Sequence, residues 1–339
     1  MVSTRARILD IKIERQTLKQ PFAIAGHVFR EMPAIVATIG DSVHCGRGEA
    51  AGVYYLGDDV AHMSAVAEGV RGAIEAGMSR EQLQLELPPG GARNALDCAM
   101  WELEAARKGT TVRELAGVPA NGPLVTTLTL GADTPETMAA GAKALTGAVA
   151  IKLKLTGDPK LDIARVAAVR AACPGVWLAV DANQGYTLDG LQTALPAFVR
   201  YAVALVEQPL PRGEEARLDG FISPIPLAAD ESVLSSADLD ALVGRFDVIN
   251  IKLDKCGGLT EALAMARRAR ELGFKLMVGN MAGSSWAMAP AFIVGQLCDI
   301  VDLDGPISLV KDRSPAVQYI DGKVWCDDGV WGRGMRVEQ

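Results

Sequence analysis

From about residue 124 the chain repeats one pattern: a short apolar run rich in Val, Leu and Ile, a loop, then a helical stretch of about 10 to 15 residues. Eight such runs fall at 124–130, 149–155, 176–181, 203–207, 225–230, 247–252, 274–278 and 299–303. The stretches between them carry helix start signals. Thr134 precedes Pro135 and Asp158 precedes Pro159, each a capping side chain followed by proline at the first helical position, where the missing N–H is not needed. Gly273 predicts the end of a helix over 259–272, and Ser284-Ser285 reads as another helix cap. Gly90-Gly91 reads as a turn. Eight strand–helix repeats of roughly 22 residues predict a closed parallel barrel in preference to an open doubly wound sheet.

The N-terminal part reads differently. Extended stretches at 5–19 and 33–40 and helices near 58–77 and 92–107 predict an α+β domain over 1–120. In the last helix Ala95, Leu96, Ala99, Met100, Leu103 and Ala106 share a face. The barrel is expected over 121–310, and a C-terminal segment, 311–339, with Trp325 and Trp331, is expected to pack back on the first domain. A length of 339 residues suits one larger and one smaller domain.

Composition narrows the partners. With 49% apolar and 22% charged residues the chain is globular, and 41 acidic against 34 basic residues give a net charge of −7, a poor match to nucleic acid. A small-molecule substrate is expected instead. Six scattered cysteines without a C-x-x-C pair predict reduced thiols. Residues 1–12 carry charges and no apolar core of a signal peptide, so a cytoplasmic location is expected. The uncharged run between Lys275 and Asp299 is broken by Gly, Asn, Ser and Pro, so no membrane span is expected. Assembly as a homo-oligomer is left open. All three histidines, His27, His44 and His62, lie before the barrel; a general base there must be a carboxylate, lysine, cysteine or tyrosine.

In a parallel barrel, residues at the C-terminal strand ends point into the active site. Asp181, Glu207 and Asp230 end the third, fourth and fifth runs, Lys252 ends the sixth, and Asp302 and Asp304 flank the end of the eighth. Three carboxylates converging from neighbouring strands predict oxygen-only coordination of a hard cation, Mg2+ first. The second run reads Ile151-Lys152-Leu153-Lys154-Leu155, and strand alternation puts both lysines on one face. Mutual repulsion, burial and a nearby cation lower a lysine pKa toward the range of a general base. Lys252 lies across the barrel from them, so a ligand on the metal would have an amine on either side.

Taken together, Lys152-Leu153-Lys154, Asp181-Ala182-Asn183, Glu207-Gln208-Pro209, Ala229-Asp230-Glu231-Ser232 and Ile251-Lys252-Leu253-Asp254-Lys255-Cys256-Gly257-Gly258 resemble the enolase superfamily, muconate lactonizing enzyme subgroup. Asp302-Leu303-Asp304-Gly305-Pro306 resembles the Asp-x-Asp of its dipeptide epimerases, L-Ala-D/L-Glu epimerase-like. The resemblance implies a modified (β/α)7β TIM-type barrel with an N-terminal α+β capping domain. It implies Asp181, Glu207 and Asp230 as Mg2+ ligands and Lys154 and Lys252 as the acid/base pair that inverts the α-carbon of the C-terminal residue through an enediolate. Lys152 would assist Lys154, and Asp302 and Asp304 would hold the substrate ammonium. An isomerase acting on an L-Ala-L/D-Glu type cell-wall dipeptide is the implied function. Two loops, about 22–31 and 48–58, would choose the side chain. The first offers His27 and Arg30, the latter to grip a glutamate; the second offers Tyr54 and Tyr55 for an apolar residue and Asp58 or Asp59 for a cationic one. An N-acylamino acid racemase or a cycloisomerase would use the same lysines, and a barrel binding Mg2+ and a carboxylate without turnover is the non-enzymatic alternative.

Overall fold

A computed structural model describes residues 7–24, 27–118 and 122–336. Three long N-terminal strands, β1 (Ile8–Ile24), β2 (His27–Gly40) and β3 (His44–Ala50), pair antiparallel. Leu9 and Ile11 of β1 turn toward the apolar cluster beneath the sheet, while Ile8 and Ile13 stay exposed. β1 and β2 run further than the sequence suggested: most of 22–31, expected as a loop, is a β-hairpin with a register shift between Thr17 and Phe22. Helix Gly91–Lys108 lies across this sheet. Gly46 and Gly48 allow the contact, because a Cβ there would stand 2.2 Å from the Ala99 carbonyl oxygen and 2.0 Å from that of Ala95. Gly90 and Gly91 form the N-terminus of this helix.

The remaining strands are β4 (Leu124–Val125), β5 (Leu128–Leu130), β6 (Ala150–Lys154), β7 (Trp177–Asp181), β8 (Val203–Glu207), β9 (Leu227–Ala229), β10 (Val248–Ile251), β11 (Lys275–Val278), β12 (Ile300–Val301), β13 (Gln318–Ile320), β14 (Lys323–Trp325) and β15 (Met335–Arg336). Strands β5 to β12 form one parallel eight-stranded sheet in sequential order, as the repeat predicted. Its ends meet where the Thr127 amide donates to the Val301 carbonyl at 3.0 Å and the Leu303 amide to Thr126 Oγ1 at 2.9 Å. The predicted caps hold: Thr134, Asp158 and Ser284 each accept a backbone amide at a helix start.

The run expected as one strand over 124–130 is two, because β4 leaves the barrel to pair with β14. The C-terminal segment divides as well. β13 and β14 pack beside the barrel, while β15 pairs with β3 and Trp331 Nε1 donates to the Arg47 carbonyl. No helix among the described residues is long and apolar enough to cross a membrane.

Alternation along the barrel strands separates core from chemistry. Ile151, Leu153, Leu178, Val180, Val206, Ile249 and Ile251 point outward into the cluster shared with the helices. The opposite parity points inward: Ala179, Leu205, Ala228, Val248 and Met277 form a small apolar plug. One step further along the same faces come Asp181, Glu207, Asp230 and, beyond Asn250, Lys252.

Candidate active site

Strand register sets the floor of the site. Lys154 pairs with Asp181, and Asp181 with Glu207, across β6, β7 and β8. Oxygens of Asp181, Glu207 and Asp230 lie within 4.8 Å of one another, and all three residues are buried. Burial and the neighbouring Asp181 push the Glu207 carboxyl up to about 7. Burial would also raise Asp230, but Lys252 and Lys255 outweigh it and hold that carboxyl well below the usual range. Three crowded carboxylates without a nitrogen or sulfur donor fit a hard divalent cation.

The lysines stand around this cluster. Lys154 Nζ donates to Asp181 Oδ2 at 2.5 Å and Lys252 Nζ to Asp230 Oδ2 at 2.6 Å. Lys152 Nζ donates to Asp302 and, at 3.3 Å, to Glu207 Oε2. Burial favours the neutral amine, but Asp302 and Glu207 around Lys152, and Asp230 and Glu207 around Lys252, hold both above the usual range.

On the other side of Lys152, Asp302 accepts from Thr127 Oγ1, and Asp304 Oδ2 accepts the Thr129 amide at 2.6 Å. Burial and the adjacent Asp302 raise the Asp304 carboxyl to about 6.

Several contributors had no role assigned from the sequence, most of them named only as parts of its motifs. Lys255, four residues past the end of β10, reaches back to give Asp230 Oδ1 and the Asn250 carbonyl hydrogen bonds of 2.5 and 3.1 Å. Asn250 Nδ2 donates to Glu207 Oε1 at 2.8 Å; its inward parity, two residues before Lys252, was the available signal. Asn183 Nδ2 donates to Glu231 Oε1 at 3.3 Å. Gln208 Oε1 accepts the Asp230 and Ser232 amides. Asn183, Gln184 and Gln208 take positive φ values of 42°, 69° and 34° just past the strand ends, strain of the kind found at functional sites.

These groups open into one cavity of about 230 Å³, lined by Lys152, Lys154, Asp230, Glu231, Lys252, Asp302 and Asp304 on one side. The facing wall includes Leu18, Phe29, Met32, Tyr54 and Tyr55. Tyr54 thus lines the cavity. Arg30 is exposed on β2 and is not among the lining residues, while the His27 side chain lies outside the described residues. The acids offered for a cationic substrate serve the backbone instead: Asp58 Oδ2 accepts the Gly91 amide at 2.7 Å, and Asp59 caps helix Val60–Gly69.

Comparison with known proteins agrees with this geometry. Residues 137–311 match the family described as enolase C-terminal domain-like. An L-Ala-D/L-Glu epimerase of Escherichia coli is 39% identical over 94% of this chain and 99% of its own. The chain belongs to the enolase superfamily. An N-acetyl-D-glutamate racemase of a Pseudoalteromonas species is 43% identical over 73% of this chain and 78% of its own. Among solved structures, an enolase family member from Agrobacterium tumefaciens with homology to dipeptide epimerases, with bound sodium and L-Ala-L-Glu, superposes with a TM-score of 0.93 at 39% identity, covering 96% of this chain and all of the other. A dipeptide epimerase from Enterococcus faecalis complexed with Mg and L-Leu-L-Tyr superposes at 0.88 with 26% identity, covering 97% and 99%. As a member of this group of epimerases and racemases the protein is an isomerase, and its cofactor is Mg2+, which the buried carboxylate trio fits.

Proposed function

We propose that the protein epimerises dipeptides at the α-carbon of the C-terminal residue, with Lys154 and Lys252 as a two-base pair. The observation that carries this reading is the disposition of the two ammonium groups: one is anchored on Asp181 and the other on Asp230, so they flank the carboxylate cluster from β6 and from the end of β10. An α-carbon held over the cluster would then have an amine on each face.

A proton next to a carboxylate is a very weak acid, so its removal needs the charge that develops on the carboxylate to be neutralised. When bound by Asp181, Glu207 and Asp230, Mg2+ supplies that positive charge. The lysine on one face, as the neutral amine, takes the α-proton and becomes an ammonium, and the opposite lysine, as an ammonium, gives a proton to the other face and becomes the amine. Lys152, held by Asp302 and Glu207, adds a second ammonium beside the same carboxylate. Asp302 and Asp304 would receive the substrate α-ammonium, which gives the buried Asp304 a charged partner.

Free dipeptide is favoured by this paired carboxylate end. A second reading, racemisation of an N-acylated amino acid, is favoured by the Pseudoalteromonas relative; such a substrate has no ammonium for Asp304. The acidic residue in the names of both relatives would need a cation for its side chain, and Arg30, expected for that task, is exposed outside the cavity. The test is incubation with a dipeptide library and with N-acetyl amino acids in deuterated water, read as gains of one mass unit and as inversion by chiral chromatography. Turnover confined to N-acetyl compounds would replace the dipeptide reading, and no exchange with either would end it.

A further inference from the structure

We propose that this pocket receives an apolar side chain, aliphatic or aromatic, on the carbon that is inverted, and discriminates against an acidic one. The proposal rests on the dipeptide reading above and adds the side chain to it.

The wall opposite the floor is apolar and aromatic. Phe29 and Tyr54 meet edge to face with ring centroids 5.3 Å apart at 78°, and Tyr54 and Tyr55 do so at 5.3 Å and 85°. Beside them Leu18 and Met32, 7% and 9% exposed, belong to one apolar cluster with Phe29. Edge-to-face rings and a thioether form a surface that accommodates varied apolar shapes.

Charge on the floor excludes the alternative. Among the described lining residues the cations are Lys152, Lys154 and Lys252, and each already pairs with a floor carboxylate, Asp302, Asp181 and Asp230 respectively. Glu231 also faces the cavity, with Oε2 buried and without a hydrogen-bond partner. A side-chain carboxylate entering here adds an anion to a site rich in them, with no further cation among the described lining residues to meet it, and buried unpaired charge is strongly disfavoured. Arg30 follows Phe29 along β2, so strand alternation aims it away from the face that carries Phe29. Glu231 adjoins Asp230 and bonds Asn183, which puts it with the floor; the wall groups themselves carry no charge for a cationic side chain.

The wall is held in place. Asp254, from the barrel, accepts the Ala51 and Gly52 amides at 3.0 Å each, and the Gly52 φ of +75° brings its Cα so close that a Cβ would stand 2.0 Å from the Asp58 carbonyl oxygen. The rings of Tyr54 and Tyr55 therefore face the floor from a loop fixed at its start by Asp254 and at its end by Asp58.

The experiment measures kcat/KM with Mg2+ for L-Ala-L-Leu, L-Ala-L-Phe, L-Ala-L-Glu and L-Ala-L-Lys, with N-acetyl-L-leucine and N-acetyl-L-glutamate alongside. The Leu and Phe dipeptides are expected to exceed the Glu and Lys dipeptides at least tenfold. Ala-Glu or Ala-Lys equal or ahead overturns the side-chain proposal while the dipeptide reading stands. Turnover of the N-acetyl compounds alone overturns the dipeptide reading, and the order of leucine and glutamate within that pair then decides the side chain. Turnover of none overturns both. Phe29→Arg supplies the missing cation, and is expected to raise the Ala-Glu to Ala-Leu ratio at least tenfold; an unmoved ratio means that the side chain does not meet this wall.

Discussion

The floor and the wall of the cavity hold their side chains by different means. On the floor, at the ends of β6 to β12, almost every charged group meets an opposite charge with almost no exposure: Lys152 with Asp302, Lys154 with Asp181, and Lys252 and Lys255 with Asp230. The wall comes from the β1–β2 hairpin and residues 53–58, and its rings pack on one another with Tyr54 still 38% exposed. Removing one member of a buried ion pair leaves its partner uncompensated, whereas trimming a half-exposed ring mainly loses contact area. A floor built this way resists change and suits one chemistry; a wall built this way can vary and suits the choice of substrate.

The largest effects should therefore come from the floor. Lys154→Ala and Lys252→Ala are each expected to lower epimerisation by about 10³-fold or more, a general acid/base loss, while retaining α-proton exchange for one enantiomer only. Proton NMR in deuterated water with each enantiomer separates the two; a parental rate in either variant would break the two-base reading.

Stripping the cation should be nearly as severe. Chelation, with metal content followed by elemental analysis, is expected to abolish turnover, and readdition of Mg2+ to restore it. Because the ion binds only the folded site, saturating it to 100 Kd should also add about 2.7 kcal/mol of stability, visible as a higher Tm. Full activity in a metal-free sample would contradict the floor's role.

Changes in the wall should be milder and selective. Tyr54→Ala is expected to lower kcat/KM for L-Ala-L-Phe about tenfold, mostly through KM, with L-Ala-L-Ala turned over at close to the parental rate. Equal losses on both substrates would mean that Tyr54 acts on the chemistry and not on the side chain.

The smallest effect sharpens the link between the two regions. Burial raises the Asp254 carboxyl to about 7 from a usual value near 3.8. The folded state thus binds this proton more tightly than the unfolded state. The resulting stability is fully present below about pH 4 and is lost as pH rises through 7. Asp254→Asn keeps an acceptor for the Ala51 and Gly52 amides and removes the titration, so urea unfolding between pH 4 and 7 should show a flatter dependence than in the parent. Identical slopes would exclude Asp254 as the titrating group.

The floor was legible in the sequence. An acid or lysine at the end of five consecutive apolar runs, with the intervening residues in alternate parity, is a local signal, and β6 to β10 carry it intact. The helix caps at Thr134, Asp158 and Ser284 were equally local. Lys255 was not legible, because a short helix, Leu253–Cys256, turns its side chain back toward Asp230. The wall was least legible. Phe29, Arg30, Tyr54, Asp58 and Asp59 all lay in segments named for specificity, yet nothing local says which of them faces the floor.

What the sequence determined by itself is the barrel, its order of strands and the set of charges on its inward faces, because these follow from a two-residue period and from start and stop signals within a few positions of one another. What only the tertiary structure decided is the meeting of parts far apart in the chain. The lie of the hairpin over the barrel gives Phe29 to the cavity and leaves Arg30 exposed, and the capture of Asp58 by the Gly91 amide takes a carboxylate out of consideration. Those outcomes depend on packing between whole elements, which no window of residues contains.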